Sequence, residues 1–166
     1  MSQPQHVIVT GAAGALGRAV VEHFLNQGAH VHALDISDEL LSASLADADS
    51  GRVQGYAVDL TSRSDCMRCI ASIRENAERI DVLCNVAGGF MMGEGVAETS
   101  DETWDFLFNL NTKSVMHMAA AVVPLMRESG AGKIINVGAL AAGQGLGQMG
   151  AYIASKSATI RLTESL

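Results

Sequence analysis

The sequence predicts a three-layer α/β/α domain, a doubly wound parallel sheet covered by helices on both faces. Three observations carry this. Short apolar runs alternate with helical patterns along the 166 residues, a glycine-rich turn follows the first apolar run, and an acidic residue ends the second. Residues 1–166 are expected to form one domain, with no internal repeat and no linker.

The first strand is expected at residues 6–10, a short β-branched run. A helical pattern follows, with Leu16, Ala19, Val20 and Phe24 assigned to one face and Gly28 as the stop. Residues 30–35 read as the second strand, with Ser37 capping a short helix behind it. Residues 52–60 contain the third strand, and Ser62 or Ser64 opens the next helix. The run 80–86 reads as the fourth strand, and its apolar character suggests burial on both faces. Residues 87–100 are rich in Gly and Met and form a loop, after which residues 100–102 open the longest helix, running to about Arg127. The fifth strand spans 133–137. Residues 138–150 hold five glycines and no charge, as in a flexible loop, and a last helix runs over 152–166. Folds of this type ordinarily carry at least one more strand beyond the fifth, so the chain is expected to be a piece of a longer protein, truncated after the start of the following helix.

Composition narrows the function class. Hydrophobic residues make up 48% and charged residues 17%, which excludes a disordered chain. A net charge of −7 without a basic cluster argues against a nucleic-acid partner. No apolar run reaches the roughly 18 residues of a membrane span, and the polar residues 1–6 do not resemble a secretory signal, so a cytoplasmic setting is expected. Cys66 and Cys69 form a C-x-x-C, but further zinc ligands are scattered, so no metal site is expected.

The run from Thr10 to Gly17 joins the first strand to its helix. Glycine there lets backbone approach a pyrophosphate, and the helix N-terminus offers free N–H groups and a positive dipole. Gly11, Gly14 and Gly17 follow the spacing G-x-x-G-x-x-G, and with Ala15 and Leu16 they are candidate cofactor contacts. Asp35 ends the second strand 18 residues after Gly17, where a carboxylate would bind the adenosine ribose hydroxyls of NAD. It would repel a 2′-phosphate, and no Arg or Lys follows at Ile36-Ser37, so NADP is the less favoured cofactor, with Arg18 the one nearby cation in its favour. This is the arrangement of a Rossmann-type nucleotide-binding fold.

Tyr152 and Lys156 are four residues apart at a helix start and share one face. A phenol is a poor acid or base at neutral pH, and a neighbouring ammonium favours its anionic form. Asp59 follows the third strand, Asn85-Val86-Ala87-Gly88 the fourth, and Asn111 lies in the long helix. Carrying these residues in this order, the sequence resembles the short-chain dehydrogenase/reductase family along its whole length. The resemblance implies that Asp59 and Leu60 contact the adenine, that Asn85, Ala87 and Gly88 line the cofactor pocket, and that Asn111 holds a water in a proton relay. It further implies that Tyr152 donates or accepts the proton, that Lys156 binds the nicotinamide ribose, and that the subunits form a homodimer or homotetramer.

One position departs from the family pattern. A serine usually stands thirteen residues before the tyrosine, and here that residue is Ala139. No Ser or Thr occurs from 131 to 153. Loss of one oxyanion donor typically costs about 10²–10³ in rate. The segments Cys84 to Phe90 and Gly138 to Ala142 resemble those of dihydropteridine reductases, which also carry alanine there and act on an already reactive, iminium-like substrate. Three outcomes follow: a small carbonyl or alcohol substrate with another donor such as Gln144 or Gln148, an activated substrate, or a NAD-binding regulatory protein that has lost the reaction. Met91 and Met92 are candidate substrate contacts, Met116 and Met118 are explained as well by helix packing, and Trp104 is expected to anchor helix packing.

Overall fold

In the computed structural model the strands β1 (His6–Thr10), β2 (His30–Asp35), β3 (Val53–Ala57), β4 (Val82–Asn85) and β5 (Lys133–Asn136) form one sheet, in the order β3-β2-β1-β4-β5. Residues 4–46, 48 and 51–166 are described, so the polar N-terminal residues 1–3 lie outside that set. Every pairing is parallel, with Val7 opposite Val31 and Val82, and Cys84 opposite Ile135. Each strand is followed by helical structure: α1 (Ala15–Asn26), α2 (Asp38–Ser44), α3 (Arg63–Arg74), α4 (Asp101–Phe108) with α5 (Ser114–Glu128), and α6 (Gly150–Glu164).

Alternate residues of the central strands feed two separate cores, as the two-residue period of a strand requires. Val7, Val9, Val31, Ala33, Val82 and Cys84 meet Val21 and Leu25 of α1 and Leu41 of α2. Ile8, Leu34 and Leu83 meet Cys66, Ile70 and Ile73 of α3 and Met118 and Val122 of α5. The order of the sheet reverses between β1 and β4, and an open cleft at the strand C-termini is expected at such a switch point.

Helix starts follow local chemistry. The hydroxyls of Ser37, Ser62 and Ser100 accept from Leu40 N, Asp65 N and Thr103 N, each satisfying an amide left over in a first turn. Gly28 ends α1 at φ +83°, a conformation open to glycine and costly for residues with a Cβ.

Three expectations are corrected. The fully buried residues of α1 are Gly17, Val21 and Leu25, with Val20 and Phe24 packing beside them as expected, whereas Leu16 is 53% exposed and Ala19 is also exposed. The reason is Gly17: its Cα is pressed against the Gly11 and Ala12 backbone, which fixes the rotation of the helix and turns Leu16 toward the cleft. The long helix is not continuous α-helix, because a π-helical turn, Asn109–Lys113, separates α4 from α5. Trp104 is no core anchor: it stacks on Phe108 of its own helix at 4.7 Å and is 41% exposed.

Candidate active site

The glycine-rich turn lies at the C-terminal end of β1 and forms one wall of a cleft of about 710 Å³. Gly11 has φ +65°, and a Cβ there would sit 2.8 Å from the Ala87 Cα, so this turn and the chain leaving β4 touch backbone to backbone. Gly11, Gly14, Ala15, Leu16 and Gly17 line the cleft on one side, Asp35 and Asp59 with Leu60 at one end, and Ala87 and Gly88 on the floor. Thr10 ties the floor down, its buried hydroxyl accepting from the amides of Val86 and Ala87 at 3.1 and 3.2 Å.

Asp35 is braced from both sides. One carboxylate oxygen accepts from Ala13 N at 2.9 Å and the other from Ile36 N at 2.8 Å. The carboxylate therefore links the glycine-rich turn to the end of β2 while still facing the cleft. Arg18 lies elsewhere, in a groove between α1 and α2 with Glu22, Asn26 and Leu45, and does not line the cleft. Asp59 accepts from the amide and hydroxyl of Thr61 at 2.8 and 2.6 Å, shaping the rim, and His117 donates from Nδ1 to the Leu60 carbonyl at 3.0 Å.

Asn85 does not line the cleft. Its buried amide donates to Asn136 Oδ1 at 2.8 Å, and Asn136 donates in turn to Thr163 Oγ1, joining β4 to β5 and α6.

The other end of the floor meets α6. Tyr152 is half-buried, with the Phe90 ring edge-to-face against it at a centroid distance of 4.8 Å. Lys156 is buried, donates from Nζ to the Val137 carbonyl at 2.8 Å, and has its pKa lowered by that burial. Gly88 packs close to both side chains, since a Cβ there would stand 2.9 Å from Asn111 Oδ1 and 3.1 Å from Lys156 Nζ and would displace them. Asn111 sits in the π-helical turn, 1% exposed, and its carboxamide accepts from Gly89 N at 2.8 Å while donating to Gly89 O and to Ser155 Oγ, both at 3.0 Å. Both amide hydrogens are thus used within the protein.

Around the Tyr152 ring the neighbouring groove is lined by Met91, Met92, Gln148 and Met149, with Glu94, Thr99 and Thr103 farther along it. Ala139 offers no polar side-chain atom, and Gln144 is exposed. Met118 is core, and Met116 is 43% exposed. The cysteine pair is inert by environment: Cys66 is fully buried, Cys69 partly so, and burial raises both thiols to about 11. Among the described residues no His, Cys, Asp and Glu cluster is arranged to hold a metal ion, and no helix is long and apolar enough to cross a membrane.

Sequence reasoning did not find Thr10, Ser155, Thr159 or the π-helical turn. Small hydroxyl residues have no periodicity, and a π turn has no compositional signature. The glycine spacing was the only signal pointing toward Thr10, which immediately precedes Gly11.

The sequence profile described as short chain dehydrogenase matches residues 5–166. The chain belongs to this family. It is 33% identical over 159 residues to NAD-dependent glycerol dehydrogenase of Listeria innocua serovar 6a, covering 96% of this chain and 62% of that one. It is 34% identical to sorbitol dehydrogenase of Cereibacter sphaeroides, over 95% of this chain and 61% of the relative. NAD+-bound xylitol dehydrogenase superposes with a TM-score of 0.92 at 28% identity, over 97% of this chain and 63% of that structure. A metagenomic short-chain oxidoreductase in complex with NADP gives 0.91 at 29% identity, over 97% and 74%. The chain therefore spans about three-fifths of the length of the curated relatives it matches.

Proposed function

We propose that this chain is the cofactor-binding and catalytic part of an NAD(H)-dependent oxidoreductase that moves hydride to or from a small carbonyl or alcohol. The single observation that carries this is the cleft whose two ends hold Asp35 and, through Gly88, Lys156. The residues fit a dinucleotide. The turn from Gly11 to Gly17 and the N-terminus of α1 would take the pyrophosphate, where free amides and the helix dipole favour negative charge. Asp35 would accept from the adenosine ribose hydroxyls, and Asp59 and Leu60 would border the adenine. Its carboxylate, and the position of Arg18 outside the cleft, support NAD over NADP. The bound nicotinamide supplies the hydride chemistry.

The chain's own part is orientation and proton transfer. Tyr152 would give or take the proton at its hydroxyl. Lys156, one turn away on α6 with its ammonium held on the Val137 carbonyl, would bind the nicotinamide ribose. Asn111 would act by holding the floor of the cleft rather than by presenting its amide to a water, since both amide hydrogens are already bonded.

Ala139 supports a second reading of the substrate. With no hydroxyl at this position, a substrate that is already electrophilic, such as an iminium-like ring, needs less polarisation than a simple ketone. A regulatory binder that has lost the reaction is disfavoured by the retention of Tyr152, Lys156 and Asn111 together.

The experiment is NADH and NADPH titration of the complete protein. It is followed by NADH oxidation against aldehydes, ketones and a quinonoid dihydropterin, and by NAD+ reduction with small polyols. NADH should bind more tightly than NADPH, and Tyr152→Phe should lower turnover by about 10²–10⁴ while NADH affinity holds. Full turnover in Tyr152→Phe would sink the mechanism. Tight NADH binding without turnover on any substrate class would favour the regulator.

A further inference from the structure

The contact between the cleft floor and α6 is made by buried hydroxyls that the mechanism above does not use. Ser155 is fully buried, and Thr159 is 1% exposed. The Ser155 hydroxyl donates to Tyr152 O at 2.8 Å and accepts from Asn111 Nδ2 at 3.0 Å. Thr159 donates from Oγ1 to the Asn111 carbonyl at 2.8 Å, and Thr112 donates from Oγ1 to the Ser155 carbonyl at 2.9 Å. These bonds run in both directions between the π-helical turn and α6. The first set continues through Asn111 to both backbone groups of Gly89, next to the Gly88 that touches Lys156.

We propose that Ser155 is a positioning residue. Through Asn111 it holds the Gly88–Gly89 end of the cleft in register with Tyr152 and Lys156, and so sets the affinity for the nicotinamide half of the cofactor. This rests on the reading of the cleft as a nicotinamide-dinucleotide site. The physical case is directional. Apolar packing of one helix on another tolerates small sliding, whereas a buried hydroxyl with both its donor and its acceptor committed does not. Removing it leaves an Asn111 N–H buried without a partner. The floor then recovers that bond only by moving Asn111, and with it Gly89. On the side of the glycine-rich turn, Thr10 pins the amides of Val86 and Ala87, so the shift is confined to Gly88 and Gly89 and the two halves of the cofactor should respond differently.

The test uses the complete protein and two ligands, NADH and ADP, the second lacking the nicotinamide and its ribose. In Ser155→Ala the NADH affinity should fall about 10-fold, the scale of one lost buried hydrogen bond, with ADP affinity within about twofold of wild type. Thr112→Val is isosteric and removes the parallel bond without opening a cavity. It should show the same asymmetry at about threefold. Unchanged NADH affinity in Ser155→Ala overturns the proposal, and so does equal weakening of NADH and ADP, which a merely structural role would give. If Ser155→Ala fails to fold, Thr112→Val decides by the same criterion. A wild-type protein that binds ADP no more weakly than NADH, or binds neither, overturns the cofactor reading itself, an outcome visible before any variant is made.

Discussion

The two halves of this sheet are held by different forces. In β1 and β4 the residues Val7, Ile8, Val9 and Leu83 are fully buried, and apolar helices cover them on both faces. One strand further out, β5 pairs in register with β4, yet Ile135 is 49% exposed and Leu140, just past the strand, is fully exposed. The helix that follows buries Ser155, Lys156 and Thr159 as part of its inner face and joins its neighbours by hydrogen bonds. The half that would hold the dinucleotide is thus organised by burial, which is strong and non-directional. The half that would do chemistry is organised by directional bonds, which fix positions more tightly than they add stability.

Variants can break or sharpen that contrast. The largest effect is expected at Gly17, where an added Cβ would lie 2.0 Å from the Gly11 carbonyl oxygen and 2.8 Å from the Ala12 Cα, both backbone atoms with no room to move. Gly17→Ala should lower stability by about 3 kcal/mol in urea denaturation and abolish NADH binding. An unchanged midpoint would mean that the packed half is far more plastic than its burial implies.

A smaller effect is expected from a polar cluster in the packed half. At the N-terminal ends of β1 and β2, the ring of His6 stacks on those of His30 and His32, and His6 Nδ1 lies 3.2 Å from His32 Nε2. Tyr56 lies beside His32, its own pKa raised mainly by burial and further by Cys69, and Asp81 accepts from the His6 amide. Burial and the neighbouring histidines lower the His32 pKa from 6.5 to about 4. The unfolded chain therefore takes up a proton near pH 6.5 that the folded protein refuses until about 4. Stability from this group is complete above 6.5 and is lost as pH falls toward 4. By pH 5 the loss should reach about 2 kcal/mol, and His32→Gln should flatten that acid limb. Equal acid sensitivity in both proteins would show that the cluster is not the source.

The smallest effect is expected on the exposed strand. Ile135→Thr should change stability by no more than about 0.5 kcal/mol, measured by the same urea titration. A loss above about 1.5 kcal/mol would show that Ile135 is covered in the complete protein and that the two halves differ less than its exposure implies.

Much of the packed half could be read in advance because its physics repeats along the chain. The alternation of strand and helix signals located all five strands, Ser37 was a recognisable cap, Ser62 was one of two candidates for the next, and Gly28 marked the end of α1. Even so, only Val20 and Phe24 of the expected α1 face meet the core, and Leu16 and Ala19 do not, because the close approach of Gly17 to Gly11 settles the rotation. The lining of the candidate site was legible at Gly11, Asp35 and Gly88, whose spacing is tied to a turn or a strand end. It was not legible at Ser155 and Thr159, since a helix whose inner face is partly polar gives no hydrophobic pattern to follow.

The sequence alone determined the order of elements, the parallel class of the sheet, and which glycine-rich turn would line the cleft. Those properties are local, set by residue spacing and backbone preference within a few turns of chain. Only the tertiary structure decided that Asn111 spends its amide on Gly89 and Ser155, that Asn85 faces Asn136 rather than the cleft, and that Arg18 lines the groove between α1 and α2. Each of these depends on where two distant segments meet, 22 to 51 residues apart in the bonded cases, and spacing along one segment carries no information about that meeting.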